Sequence, residues 1–133
     1  MTGIELLVVD DNLPNRQLPG LILRKQGHTV IECETGEEAL SWLQRRRFSH
    51  LLLDISLPRV SGLDVCRLVR TMPEGSQLQI IAYTAHALPD ETKEMLAAGF
   101  DRILVKPIRR QDLLGILGLT TAQELHPPPS NPA

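Results

Sequence analysis

Five short apolar runs alternate with amphipathic segments along this chain, and that alternation limits the possible folds more than any other feature. The runs are Ile4–Val9, Thr29–Cys33, Leu51–Leu53, Ile80–Tyr83 and Ile103–Val105. Helix-like segments lie at Asn15–Gln26, Glu37–Arg46, Leu63–Arg70, Asp90–Ala98 and Gln111–Leu117. Strands separated by helices of this length build βαβ units, and hence a parallel sheet. The runs are nearly continuous in Leu, Ile and Val, as strands are when helices cover both faces. Apolar residues make up 42% of the 133 residues and aromatics only 3%, so the core has to be aliphatic.

Local punctuation supports these boundaries. Thr35-Gly36-Glu37-Glu38 reads as a capping box for the second helix, and Ser61 with Asp64 as a weaker version for the third. Pro89 suits a first helical position, with Asp90 and Glu91 in the positive first turn. Gly27 and Gly99 read as helix C-terminal glycines. Pro19-Gly20 fits badly: an interior proline removes a backbone hydrogen bond and clashes with the preceding turn, so a kink or break is expected in the first helix. The chain reads as one domain over residues 1–119, followed at 120–133 by a Pro-rich tail or linker with little to bury.

Composition narrows the function classes. With 14 basic and 16 acidic residues the formal charge is −2, which argues against a dedicated nucleic-acid binder. Arg45-Arg46-Arg47 ends a helix, where cations complement the dipole. Cys33 and Cys66 have no metal-ligand spacing and read as reduced thiols. His28, His50 and His126 likewise show no ligand spacing. No apolar run is long enough to span a bilayer, and the N-terminus lacks a signal-peptide pattern. A soluble, cytoplasmic protein without membrane contact is expected.

The chemistry-bearing residues sit where the strands end. Asp10 and Asp11 follow the first run, Asp54 the third, Thr84 the fourth and Lys106 the fifth. In open α/β sheets ligands bind at this carboxyl edge. Adjacent carboxylates repel and are comfortable only in water or beside a cation. Three carboxylates at one edge suit Mg²⁺, which favours octahedral oxygen coordination and retains part of its water shell. Lys106 partly neutralises them and could stabilise an arriving phosphoryl group, while the Thr84 hydroxyl could donate to a phosphate oxygen beside small Ala85.

With these residues in view, the chain resembles the receiver domains of two-component response regulators. The resemblance rests on Leu7-Val8-Val9-Asp10-Asp11-Asn12, on Leu51 to Pro58 with Ser61-Gly62-Leu63, on Ile80 to Ala85, and on Gly99-Phe100-Asp101 leading to Lys106-Pro107. It covers about residues 4 to 118. It implies an α/β, flavodoxin-like, doubly wound five-stranded parallel sheet of order 2-1-3-4-5 with five helices. Asp54 would accept a phosphoryl group from a sensor histidine kinase or histidine phosphotransfer domain. Asp10, Asp11, Asp54 and the backbone carbonyl of Ser56 would hold Mg²⁺ or Mn²⁺. Lys106 and Thr84 would contact the phosphoryl oxygens, and the Lys106–Pro107 bond would be cis. Such a domain is a switch or relay that assists its own phosphorylation and slow dephosphorylation, not a turnover enzyme.

Some positions bear on tuning and switching. Ser56 and His86, two residues after Asp54 and Thr84, would flank the phosphoryl group and tune its lifetime. Ile103 stands where the family usually has an aromatic switch residue, which keeps alive an alternative: a receiver-like interaction module independent of phosphorylation. An aspartate-nucleophile phosphatase fits least, because Ser56 stands where its general acid would be and cannot protonate a leaving group.

Overall fold

Each apolar run becomes a strand: β1 (Glu5–Val9), β2 (Thr29–Cys33), β3 (His50–Asp54), β4 (Gln79–Thr84) and β5 (Arg102–Val105). Between and after them run α1 (Leu13–Arg24), α2 (Gly36–Arg45), α3 (Gly62–Arg70), α4 (Pro89–Ala98) and α5 (Arg110–Ile116). The computed structural model describes residues 3–119; the tail at 120–133, His126 included, lies outside the described residues. All strand pairs are parallel, and the order is β2-β1-β3-β4-β5, the flavodoxin-like arrangement.

Parallel pairing needs a crossover between strands, and the crossovers cover both faces. The period-two alternation of side chains then splits the core in two. Leu7, Val9, Leu51, Leu53, Ile80 and Ala82 pack against α2, α3 and α4 through Ala39, Val65, Cys66, Val69, Met95 and Ala98. Leu6, Val8, Leu52, Ile81, Tyr83 and Leu104 face α1 and α5 through Leu23, Leu113 and Leu114. Each fully buried leucine contributes about 2 kcal/mol through removal from water.

Element ends shift slightly from the sequence reading, for identifiable reasons. β3 gains His50 and Asp54 because both join the ladder, opposite Gln79 and Tyr83. α1 begins at Leu13 because the Asn12 side chain accepts the Asn15 N–H and caps it. Thr35 caps α2 as expected, although the Glu38 carboxylate reaches back to the N–H of Glu34 rather than to that of Thr35. Ser61 accepts the Asp64 N–H to cap α3. Gly99 closes α4 in the left-handed region, whereas Gly27 lies in the turn beyond α1.

The break expected at Pro19-Gly20 is absent: α1 runs as a single helix from Leu13 to Arg24. Proline frees the carbonyl four residues back, that of Asn15. The Tyr83 hydroxyl donates to that carbonyl at 3.1 Å. Gly20 has a separate use. A Cβ there would come within 2.8 Å of Arg24 Nη1 and 3.0 Å of Glu32 Oε2. The bare backbone makes room for the ion pair that fastens α1 to β2. Among the described residues, no helix is long and apolar enough to cross a membrane.

Candidate functional site

The strand order reverses between β1 and β3, and in open α/β sheets the carboxyl edge at such a point is where ligands bind. Asp10 and Asp11 leave β1 and Asp54 ends β3, so the carboxylates flank this point. One oxygen from each of the three lies within 4.8 Å of the others. Asp10 and Asp54 are buried, and Asp11 is exposed.

Asp10 is held from several sides. Its Oδ1 accepts the Asn12 N–H at 2.8 Å, and its backbone carbonyl accepts Arg16 Nη1 at 3.0 Å. Lys106 Nζ lies 2.7 Å from Asp10 Oδ2 and 3.3 Å from Asp54 Oδ1. The contact with Oδ2 is an ion pair without hydrogen-bond alignment, so that buried oxygen accepts no hydrogen bond among the described residues. Asp54 Oδ1 also accepts the Ser56 N–H at 3.0 Å.

Burial pushes the Asp54 carboxyl above the ordinary carboxylate range, and the neighbouring Asp10 charge adds to the rise. The Ser56 N–H and the Lys106 ammonium pull in the opposite direction. Three carboxylates cluster at this edge, and one ammonium pairs with two of them, Asp10 and Asp54. A hard divalent cation fits this set: the donors are all oxygens, and one of them is buried without a hydrogen bond.

The chain approaches Asp54 closely from behind. A Cβ on Gly62, the first residue of α3, would fall 2.1 Å from the Asp54 carbonyl oxygen. Only glycine lets α3 start there, and the Gly62 N–H donates to the Ile55 carbonyl at 3.0 Å.

Thr84 reaches the same edge but is turned into its own loop. Its hydroxyl donates to the His86 carbonyl at 2.8 Å and receives the His86 N–H at 3.3 Å. The Lys106 N–H binds the Thr84 carbonyl at 2.7 Å, which ties the ends of β4 and β5 together. Ala85, His86, Ser56 and Pro107 are exposed at the rim. The Lys106–Pro107 peptide is cis, as the resemblance implies. Ile103 is half-buried against the core beneath α2, α3 and α4, away from the carboxylates.

The fold brings three further side chains here: Tyr83, Arg16 and Arg24. Tyr83 is fully buried, and Lys106 Nζ sits 4.7 Å above its ring centroid. Arg16 pairs with Glu32 while gripping the Asp10 carbonyl, and Arg24 grips Glu32 from the other side. Nothing local in sequence links Tyr83 to α1 or to Lys106.

The other polar groups singled out in the sequence have local partners. His28 Nδ1 accepts the Ile4 N–H, and burial lowers the pKa of His50. Arg45 lies over Trp42, Arg46 over Phe48 and beside Glu5, and Arg47 against Glu74. Cys33 and Cys66 are free and buried, and burial pushes their thiols up to about 12 and about 11.

A profile of the response regulator receiver domain matches residues 6–118. The chain is 33% identical over 115 residues to the signal transduction histidine-protein kinase BarA of Escherichia coli K12; this covers 86% of the chain and 12% of that kinase. The chain thus spans about one-eighth of such a relative. Its structure is similar to that of chemotaxis response regulator CheY4 of Vibrio cholerae, with TM-score 0.84 and 30% identity, covering 88% of this chain and 98% of that one. It is also similar to the receiver domain of sensor histidine kinase PA1611 from Pseudomonas aeruginosa PAO1, a structure with a magnesium ion in its active-site cleft. There the TM-score is 0.80 and the identity 34%, over 87% of this chain and 95% of that one.

Proposed function

The chain belongs to the response regulator receiver family, and from that premise we propose that it accepts a phosphoryl group on Asp54 from a phosphohistidine and switches a partner interaction. The observation that carries this reading is the convergence of Asp10, Asp11 and Asp54 within 4.8 Å, with Lys106 Nζ between two of them. The donor is a sensor histidine kinase or a histidine phosphotransfer domain, in keeping with the histidine kinases among the relatives.

Asp10, Asp11, Asp54 and the Ser56 carbonyl would hold Mg²⁺ or Mn²⁺, as the magnesium in the similar PA1611 receiver supports. When bound, the ion supplies charge neutralisation to the incoming phosphoryl oxygens. The chain's own groups do the rest. The Ser56 N–H and Lys106 hold one oxygen of Asp54, and the carboxylate attacks phosphorus. The P–N bond to the donor imidazole breaks and a P–O bond to Asp54 forms. The leaving nitrogen keeps the electron pair and takes a proton from water. Lys106 swings its charge from Asp10 toward the new oxygens.

Thr84 supplies the link to shape. Its hydroxyl is spent on the His86 carbonyl, so reaching a phosphoryl oxygen means exchanging that partner and moving the 84–86 loop. Ile103 takes part only as an aliphatic packing group, so the loop rather than a swinging ring reports the event. Ser56 and His86 at the rim tune water access to the acyl phosphate. The domain is a signalling switch rather than a turnover enzyme.

Incubation with acetyl phosphate and Mg²⁺, followed by intact-mass measurement, tests this. A single phosphoryl addition that disappears in Asp54→Asn is expected. An unmodified chain, or modification that survives the substitution, would leave a phosphorylation-independent interaction module.

A further inference from the structure

Tyr83 makes two contacts that a tyrosine chosen only to fill the core would not need. Its ring lies beneath Lys106 Nζ, 4.7 Å from ammonium to centroid. Its hydroxyl ends on the Asn15 carbonyl inside α1. A mid-helix carbonyl is normally taken by the amide four residues on. Here that residue is Pro19, which has no amide hydrogen. Pro19 withdraws a donor and Tyr83 supplies one, although the two residues are 64 positions apart.

Resting on the phosphoacceptor reading, we infer that Tyr83 is a positioning residue of the site, a strut anchored on the proline-freed carbonyl of α1 whose ring seats Lys106 between Asp10 and Asp54. The physical need is clear. A lysine ammonium on a four-carbon stem has many rotamers, and two carboxylates compete for it. The negative face of an aromatic ring favours the geometry in which the ammonium stands over it. That geometry puts Nζ at 2.7 Å from Asp10 and 3.3 Å from Asp54. The ring is useful only if it does not tilt, and the hydroxyl prevents tilting by fixing its far end to a helix. α1 is itself fastened to the site, since Asn12 caps it while binding Asp10, and Arg16 holds the Asp10 carbonyl. Burial and the two nearby carboxylates raise the phenol's pKa, so it stays protonated and remains a donor.

Tyr83→Leu, Tyr83→Phe, Pro19→Ala and the Tyr83→Phe/Pro19→Ala double variant, made in the full chain, separate ring from hydroxyl. The readouts are the phosphorylation rate with acetyl phosphate at saturating Mg²⁺ and the NMR shifts of the Lys106 side chain. Tyr83→Leu should abolish the ring-current shift at Lys106 and slow phosphorylation about fivefold, with Asp54 still the acceptor. Tyr83→Phe should slow it about twofold. Adding Pro19→Ala should leave the rate reduced, because the restored amide satisfies the Asn15 carbonyl but ties nothing to the ring. Unchanged Lys106 shifts in Tyr83→Leu, or full rescue of Tyr83→Phe by Pro19→Ala, would overturn the strut. If Tyr83→Leu does not fold, the rescue arm decides. If the wild-type chain takes no phosphoryl group, the phosphoacceptor reading fails instead, and the Lys106 shifts still decide on the strut.

Discussion

The two ends of the sheet handle charge in opposite ways. At the amino edge, Arg70 closes α3 and makes five hydrogen bonds: two to the Gly99 carbonyl, one each to those of Gly75 and Leu78, and one to Asp101. Asp101 Oδ2 also accepts the Ile80 N–H, so cation and anion are both satisfied by the chain. At the carboxyl edge three carboxylates cluster and one ammonium pairs with only two of them, while a buried oxygen of Asp10 accepts no hydrogen bond among the described residues. The first arrangement is complete and serves stability. The second is short of positive charge, a deficit that a cation would fill on the proposed reading.

The contrast can be broken most forcefully at Arg70. Arg70→Ala should cost about 3 kcal/mol in urea unfolding, since it strands the carbonyls of Gly75, Leu78 and Gly99 and leaves Asp101 without its cation. Arg70→Lys should recover little of this, because an ammonium cannot reproduce the planar fork. An Arg70→Ala chain as stable as wild type would show that the amino edge is not the structural end.

The reverse holds for Asp54. Asp54→Asn should abolish phosphoryl uptake while raising metal-free stability by about 1 kcal/mol at neutral pH, measured by the same unfolding experiment. Burial disfavours the charged carboxyl, and an amide of the same shape removes that penalty. The sign has a pH signature. A raised native pKa means that the folded chain holds the proton more tightly than the unfolded chain. The contribution of Asp54 therefore favours folding at low pH and fades as pH rises from the ordinary carboxylate range through the raised value. The difference in stability between wild type and Asp54→Asn should grow over that interval and then level off. A difference that shrinks with rising pH would overturn the assignment.

A smaller effect separates the ends by ligand. Mg²⁺ at about five times its dissociation constant should stabilise the wild-type chain by about 1 kcal/mol. Arg70→Ala should retain this increment, and Asp11→Asn should lose most of it. Thermal melts across a Mg²⁺ titration provide the measurement, and equal increments in all three chains would argue that the cation does not bind at the carboxylates.

Much of this was legible before the fold was known. Five apolar runs with helices between them specified a parallel sheet, and parallel strands bring their carboxyl ends to one edge whatever the details of packing. Asp10, Asp11, Asp54, Thr84 and Lys106 could thus be gathered from strand ends alone. Of the kink or break expected at Pro19, the break is absent; local propensity sees only the lost amide. The compensating donor comes from β4, and no local rule links a helix proline to a strand tyrosine. Arg70 was invisible for a similar reason: its partners lie between 5 and 31 positions away.

By itself, the sequence determined the sheet, its covering helices and the identity of the residues at its carboxyl edge, because these follow from periodicity and strand direction. Tertiary structure alone decided which charges would be satisfied. It gave Arg70 five hydrogen bonds to four acceptor oxygens, and it left Asp10 Oδ2 with the Lys106 ion pair but no hydrogen bond among the described residues. It turned the Thr84 hydroxyl toward His86, and it set the ring of Tyr83 under Lys106. The physical reason is range. Backbone pattern is set by neighbours in the chain, whereas hydrogen bonds and ion pairs are set by neighbours in space.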